Sequence, residues 1–178
     1  MMNVEIRNTV STDLARLSAI DHSMNTDYVW QVDLQRDAGQ ISVSLREIRL
    51  PRTIRIDYPR PSDELPDTWH LRPMLSVMNG MEAIAYARLT DTMVPHAVWI
   101  TDVVVGKHVR GQGIGKKLIT AAEEWGAKRN LRRSIIEVQS KNAPAIRMLQ
   151  KMGFEFCGYN DQYYISRDVA LFFSRTIY

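Results

Sequence analysis

Cysteine is almost missing from this chain: Cys157 stands alone among 178 residues. One thiol excludes an internal disulfide, so a reducing compartment, the cytoplasm, is the expected location. That thiol reads as a small packed hydrophobe rather than a nucleophile. The four histidines, His22, His70, His96 and His108, lack metal-ligand spacing, and no metal site is expected. No apolar run approaches the roughly 20 residues that cross a bilayer, so no membrane partner is expected. No basic segment followed by an apolar one opens the chain, so no signal peptide is expected either. Repeats are absent. Lysine is scarce beside arginine, six against seventeen, and the net charge is +3. Aromatic residues are not interleaved with those cations, which disfavours a nucleic-acid surface.

What is present suits one soluble domain: 45% hydrophobic and 24% charged residues, enough for a sizeable core. The most informative stretch runs from Val103 to Lys116. It opens as a β-branched apolar run, the pattern of a strand buried on both faces. A short basic turn follows, then Gly111, Gly113 and Gly115 at alternate positions. Directly after them Ile114, Leu118, Ala122 and Trp125 fall on one helical stripe, with Lys116, Lys117, Glu123 and Glu124 off it. Free N–H groups and the dipole at such a helix start attract anions, and glycine lets the backbone come close. This is a place to hold a phosphate.

Two familiar phosphate loops fail here. A dinucleotide fingerprint counted from Gly111 would need glycine where Lys116 stands. A P-loop would need glycine and Ser or Thr where Arg110 and Lys117 stand. What remains is Arg110-x-x-Gly113-x-Gly115 after an apolar strand. That pattern resembles the acyl-CoA signature of the GNAT superfamily of N-acetyltransferases. A second block strengthens it: Glu137-Val138-Gln139 as the following strand, Asn142 at the next helix start, and Gly153-Phe154 closing that helix. Within the superfamily these blocks look most like the streptothricin acetyltransferase branch.

The resemblance implies a fold and a cofactor. The fold would be a single α/β (α+β) GNAT-like domain over residues 1–178, with a mixed, mostly antiparallel sheet and a cofactor-binding region at about 97–158. Acetyl-CoA would be the co-substrate, with no metal. Val103, Val104 and Val105 would offer backbone groups to its pantetheine arm. Arg110, Gly111, Gln112, Gly113, Ile114, Gly115 and Lys116 would surround the pyrophosphate. Asn142 would bond the pantetheine or a bridging water, or would simply cap its helix.

Along the chain, Val4 to Arg7 alternates as a first strand, and Ser11 or Thr12 caps a helix carrying Leu14, Leu17 and Ile20. Trp30/Val32/Leu34 and Ile41/Val43/Leu45 flank Asp37-Ala38-Gly39 as a β-hairpin, where many GNAT chains place helix. Pro51 to Pro73 holds five prolines and reads as a loop, either a substrate-side lid or a connector. A second hairpin turns at Asn79-Gly80. Strand Ala97–Val105, a left-handed cap at Asn130, strand Ile135–Val138 and helix Ala143–Met152 follow. Phe154–Tyr159 and Tyr163–Ile177 are the expected closing strands.

Amide formation from a thioester needs a neutral amine, while an alkyl ammonium is protonated at neutral pH. A carboxylate could take that proton. Glu137, where some family members carry such a glutamate, and Asp102 are the candidates; a salt bridge to an arginine is the alternative for each. Leu149 stands where many family members carry a tyrosine that protonates the leaving thiolate. Either Tyr164 or Tyr163 substitutes, or the thiolate leaves unassisted. A packing role for both tyrosines competes with catalysis. The expected activity is direct acetyl transfer to a primary amine on a small molecule or peptide. An acyl-CoA sensor with little turnover is the competing reading, a nucleic-acid-associated protein the third, and a homodimer stays open.

Overall fold

The computed structural model describes residues 4–178. Strand β1 (Glu5–Asn8) leads through a single 3-10 turn into the short helix α1 (Leu14–Ser18). Neither Ser11 nor Thr12 caps α1: the N-cap position is Asp13, whose side chain makes no bond to the helix's own N–H groups. Its carboxylate accepts the Val10 N–H at 3.0 Å and both nitrogens of the Arg7 guanidinium at 2.7 and 2.8 Å. Leu14 and Leu17 are buried as their spacing required.

Strands β2 (Met24–Asp37) and β3 (Gln40–Ile56) form a long antiparallel hairpin that is a sheet of its own. It turns at Ala38-Gly39, with Gly39 at φ 78°. The hairpin expected from alternation is therefore present and longer than the sequence suggested. Its β3 arm takes in Pro51 to Ile56, the first part of the segment read as loop. Trp30, Val32 and Leu45 pack against the main core, and the Trp30 N–H donates to Ser140 O at 2.8 Å. The rest of the proline-rich segment holds α2 (Leu65–Thr68) and one further 3-10 turn.

Next come β4 (Met74–Asn79), β5 (Glu82–Thr90) and β6 (Ala97–Val105) in antiparallel succession. The β4–β5 turn is Gly80-Met81, one residue later than expected, with Gly80 at φ 60° in the first central position. Helix α3 (Ile114–Ala127) then crosses to β7 (Arg133–Gln139), which pairs parallel to β6. Helix α4 (Ala143–Lys151), β8 (Glu155–Asn160) and β9 (Ala170–Thr176) complete the chain. The seven-stranded order is β1-β4-β5-β6-β7-β9-β8. One ladder, β6–β7, is parallel, so the sheet is mixed and mostly antiparallel. Asn130 takes the left-handed conformation expected of it, φ 60°.

Leu118, Ile119 and Ala122 of α3 are fully buried against the sheet. Burying a Leu or Ile side chain contributes roughly 1.5–3 kcal/mol, which fixes the helix and therefore the glycine turn at its start. Two further expectations fail. Cys157 is exposed, not packed, because it lies on the edge strand β8. Residues 163–169 form a loop instead of a strand, which carries Tyr163 and Tyr164 toward β7. No helix among the described residues is long and apolar enough to cross a membrane.

Candidate active site

The site begins where the sheet comes apart. The β6–β7 ladder stops at Ile100–Ile136, yet β6 continues to Val105 and β7 to Gln139. Beyond that point β6 pairs with β5 alone and β7 with β9 alone. Each strand thus presents an edge with no ladder partner on the side facing the gap. Val103–Val105 lines it, which leaves room for an extended, peptide-like partner. Across the gap stand Gln139 and Asn142. The cleft has a volume of about 380 Å³.

The glycine turn closes one end of this cleft. Gly111 and Gly113 sit at φ 77° and 81°, and Gly113 is the residue from which α3 starts. A Cβ at either glycine would meet nothing within 4 Å, so the turn faces open space. Gly115, Ile114 and Lys116 line the cleft with them, whereas Gln112 is exposed and does not. A negatively charged group placed here would meet unpaired helix N–H groups, the dipole and the Lys116 ammonium.

Arg110 does something else. Its Nε donates to Val105 O at 2.9 Å, Nη1 to Ser23 O at 2.8 Å and Nη2 to Asp21 O at 3.1 Å. The guanidinium is spent on three backbone carbonyls and ties the Asp21–Ser23 turn to the end of β6. Arg110, expected at a phosphate, also lines the cleft beside the glycine turn. Asn142 is the cap of its helix, one of the two roles left open for it. Its Oδ1 accepts the Ala145 N–H at 3.2 Å as the cap of α4, and the residue also lines the cleft.

At the point of the split, just past the last ladder pair, lie the two carboxylates. Asp102 and Glu137 are 3% and 6% exposed. A bulge sets the first of them. Arg88 faces Asp102 and Leu89 faces Ile100, so Thr101 is the extra residue on β6. The carbonyl of Thr101 accepts from Arg60 at 2.9 Å, and its hydroxyl bonds Asp102 at 2.9 Å. Asp102 also accepts from the Tyr58 hydroxyl at 2.9 Å and from Arg60 Nη1 at 3.2 Å. Glu137 accepts from the Trp99 indole N–H at 2.8 Å, from the Tyr163 hydroxyl at 3.1 Å and from Arg60 Nη2. Several kcal/mol of desolvation per buried ion are thereby offset, and the salt-bridge alternative holds for both residues at once.

Burial works against the charge on Arg60, but Asp102 and Glu137 outweigh it and hold the pKa above the ordinary arginine value. Burial likewise pushes the neighbouring phenols up, with the carboxylates adding to it. Tyr163 is pushed up to about 12, and Tyr58 and Tyr164 are raised well above the ordinary phenol value. Tyr164 does not line the main cleft. It lines a small pocket of about 40 Å³ beside Glu137, with its ring 5.5 Å from the Arg60 guanidinium carbon. That pocket shares Tyr58, Val103, Gln139, Asn142, Ala145 and Met148 with the cleft, so the Glu137 pocket and the glycine-lined cleft adjoin. Leu149 is buried at 1% and supplies no hydroxyl.

Sequence reasoning missed three contributors. Tyr58 and Arg60 lie in the proline-rich segment, whose lid reading hinted at them without choosing residues. His22 follows α1; its ring packs edge-on to Tyr58 at 5.3 Å and lines the cleft. No pattern marked it.

The model of the acetyltransferase (GNAT) family matches residues 43–154. Streptothricin acetyltransferase of Streptomyces lavendulae is 26% identical over 171 residues, 90% of this chain and 86% of that protein. Among solved structures, a nourseothricin acetyltransferase superposes with TM-score 0.82 at 24% identity, covering 98% and 99% of the two chains. A Bacillus anthracis str. Ames protein assigned to the streptothricin acetyltransferases, solved in complex with acetyl coenzyme A, superposes with TM-score 0.76 at 20% identity. It covers 98% of this chain and 100% of that one.

Proposed function

Since the chain belongs to the acetyltransferase (GNAT) family, we propose that it carries an acetyl group from acetyl-CoA directly to a primary amine in the gap between β6 and β7. The observation that carries this reading is the continuity of the gap. A glycine-lined anion site at one end adjoins a small pocket lined by the buried Glu137 at the other, and Arg60 ties Asp102 to that carboxylate. The residues fit the co-substrate: open space before Gly111 and Gly113, the Lys116 charge, and the unpaired edge of Val103–Val105.

Acetyl-CoA supplies an activated thioester. The protein's part is to orient it and to manage the proton of the amine. Glu137 is the assigned base, with Asp102 beside it. The amine nitrogen loses its proton to the carboxylate, attacks the carbonyl carbon, and the carbon–sulfur bond breaks. A thiol of pKa near 8.5 is a fair leaving group. Burial and the nearby carboxylates raise the pKa of Tyr163, Tyr58 and Tyr164 and make each a poorer proton donor, so in this reading the thiolate leaves unassisted and is protonated afterwards by water. Tyr164 is a wall of the pocket. The acceptor we assign is a small amine, the class named for the streptothricin enzyme. A reducing location, the cytoplasm, fits the exposed free thiol of Cys157.

Thiol release from acetyl-CoA, measured across a panel of small amines, tests this directly. The reading requires amine-dependent release. Tight acetyl-CoA binding with no release from any amine would support the sensor alternative instead.

A further inference from the structure

Arg60 is held in an unusual way. It lies between Pro59 and Pro61, neither of which has an N–H to donate. Among the described residues, no backbone–backbone hydrogen bond is made by residues 57–61. What pins this strap over the site is side-chain chemistry. The Tyr58 hydroxyl bonds Asp102, and the Arg60 guanidinium bonds Asp102, Glu137 and the Thr101 carbonyl. A further weak contact runs from Gln139 Nε2 to Asp57 O at 3.4 Å.

The guanidinium therefore rests where the amine of the proposed reaction must lose its proton. Charge counting shows what the place accepts. Two carboxylates face two arginines there, since Arg88 Nε also stands 4.0 Å from Asp102. With Arg60 withdrawn, one negative charge is left over, which suits a single cationic group. Aromatic rings wall the position: Tyr164 lies 5.5 Å from the guanidinium, and Tyr163 and Trp99 both bond Glu137. Such walls favour a cation that can also meet a π face. The Arg60 side chain is 28% exposed, so solvent reaches the occupant without unfolding of the core.

We infer that Arg60 is an internal stand-in for the acceptor's cation, and that an alkylammonium or guanidinium group on the acceptor displaces it from the Asp102–Glu137 seat. The inference rests on the proposed reading for the location of the reacting amine. The site then selects acceptors by cation exchange. A neutral amine-bearing molecule cannot compensate the carboxylates when Arg60 leaves, whereas a cationic one can. Exchange also removes a strong donor from Glu137 at the moment the carboxylate must accept a proton, and frees the strap at one of its two pins, leaving the Tyr58 hydroxyl on Asp102.

The test uses the full chain without acetyl-CoA, with methylguanidinium as the probe. Calorimetry compares wild type with Arg60→Met, which keeps the stem and removes the charge. The vacated seat should bind methylguanidinium at least about tenfold more tightly than wild type, a difference of about 1.4 kcal/mol. Adding Glu137→Gln to Arg60→Met should abolish that gain. If Arg60→Met folds poorly, methylguanidinium should restore its melting temperature. A folded variant that binds no more tightly than wild type would overturn the inference, as would a variant that the probe fails to rescue. In either case Arg60 is a permanent partner of Glu137. Because no acetyl group is involved, failure of the acetyl-transfer reading would appear only in the thiol-release assay.

Discussion

Asp102 and Glu137 stand on the two parallel strands of the sheet, just beyond its last parallel pair, and share one guanidinium. The same divergence of strands exposes the edge of Val103–Val105 and brings the carboxylates to the inner end of the gap. A bulge at Thr101 turns Asp102 toward the site without breaking the β5–β6 ladder. Fold and site are in this sense one feature. In the proposed reading the chemistry sits where the ladder ends, because there the pantetheine arm can pair with a free strand edge.

Gly113 holds φ 81° at the start of α3. A β-branched residue there would pay roughly 1–3 kcal/mol in backbone strain and place methyl groups in the open space before the turn. Gly113→Val should therefore weaken acetyl-CoA by about tenfold or more while the protein stays folded. Calorimetry beside circular dichroism checks it; unchanged affinity would remove the turn from the cofactor site.

Arg110 bonds three backbone carbonyls, each contact to a charged donor worth about 1.5–3 kcal/mol where it is well shielded. Arg110→Ala should lower thermal stability. It should also weaken a phosphate-free pantetheine fragment by as much as it weakens acetyl-CoA. Selective loss of the phosphorylated ligand would restore Arg110 as a phosphate contact.

His22 lines the cleft with its pKa held below 6.5, chiefly by burial, although the charge of Asp102 pulls the other way. A histidine whose folded pKa is depressed is favoured neutral in the native state. Its contribution to stability is complete above about pH 6.5, is lost as pH falls through that value, and stops changing below the folded pKa. The difference in unfolding free energy between wild type and His22→Asn should thus shrink from pH 7.5 to 5.5. Denaturant titrations at both pH values measure it. A constant difference would show that the ring does not titrate in the folded protein.

Tyr164 is one of the two hydroxyls, with Tyr163, that could replace the missing tyrosine at Leu149. It lies beside Glu137 and outside the main cleft. Tyr164→Phe should keep kcat within about threefold of wild type, since no proton passes through it. A loss of a hundredfold or more would make it the acid.

How much of this the sequence displayed depended on range. The glycine turn, Asn142 and the strands around them were legible because each is a local pattern: a β-branched run, glycines at alternate positions, an amide before a proline-started helix. Asp102 and Glu137 could be singled out as costly buried charges, but their shared partner could not. Arg60 is 42 residues from Asp102 and 77 from Glu137, beyond any periodicity. The stretch that carries it reads as irregular, and side chains hold it rather than a ladder. The carbonyl partners of Arg110 were hidden for a related reason. A cation beside a glycine turn attracts anions in general, and only the fold shows that three carbonyls reach it first. Cys157 misled because edge and interior strands have the same local composition.

The central claim is that Glu137 takes the proton of the attacking amine, and Glu137→Gln tests it most directly. The amide is nearly isosteric and lies away from the glycine turn, so acetyl-CoA affinity should stay within about twofold. Turnover with an amine that the wild type acetylates should fall by about 10²–10⁴-fold, the usual weight of one general base, and the acidic limb of the pH–rate profile should flatten. Asp102→Asn, measured in parallel, should lose less. A folded Glu137→Gln protein with full turnover and an unchanged pH profile would contradict the account.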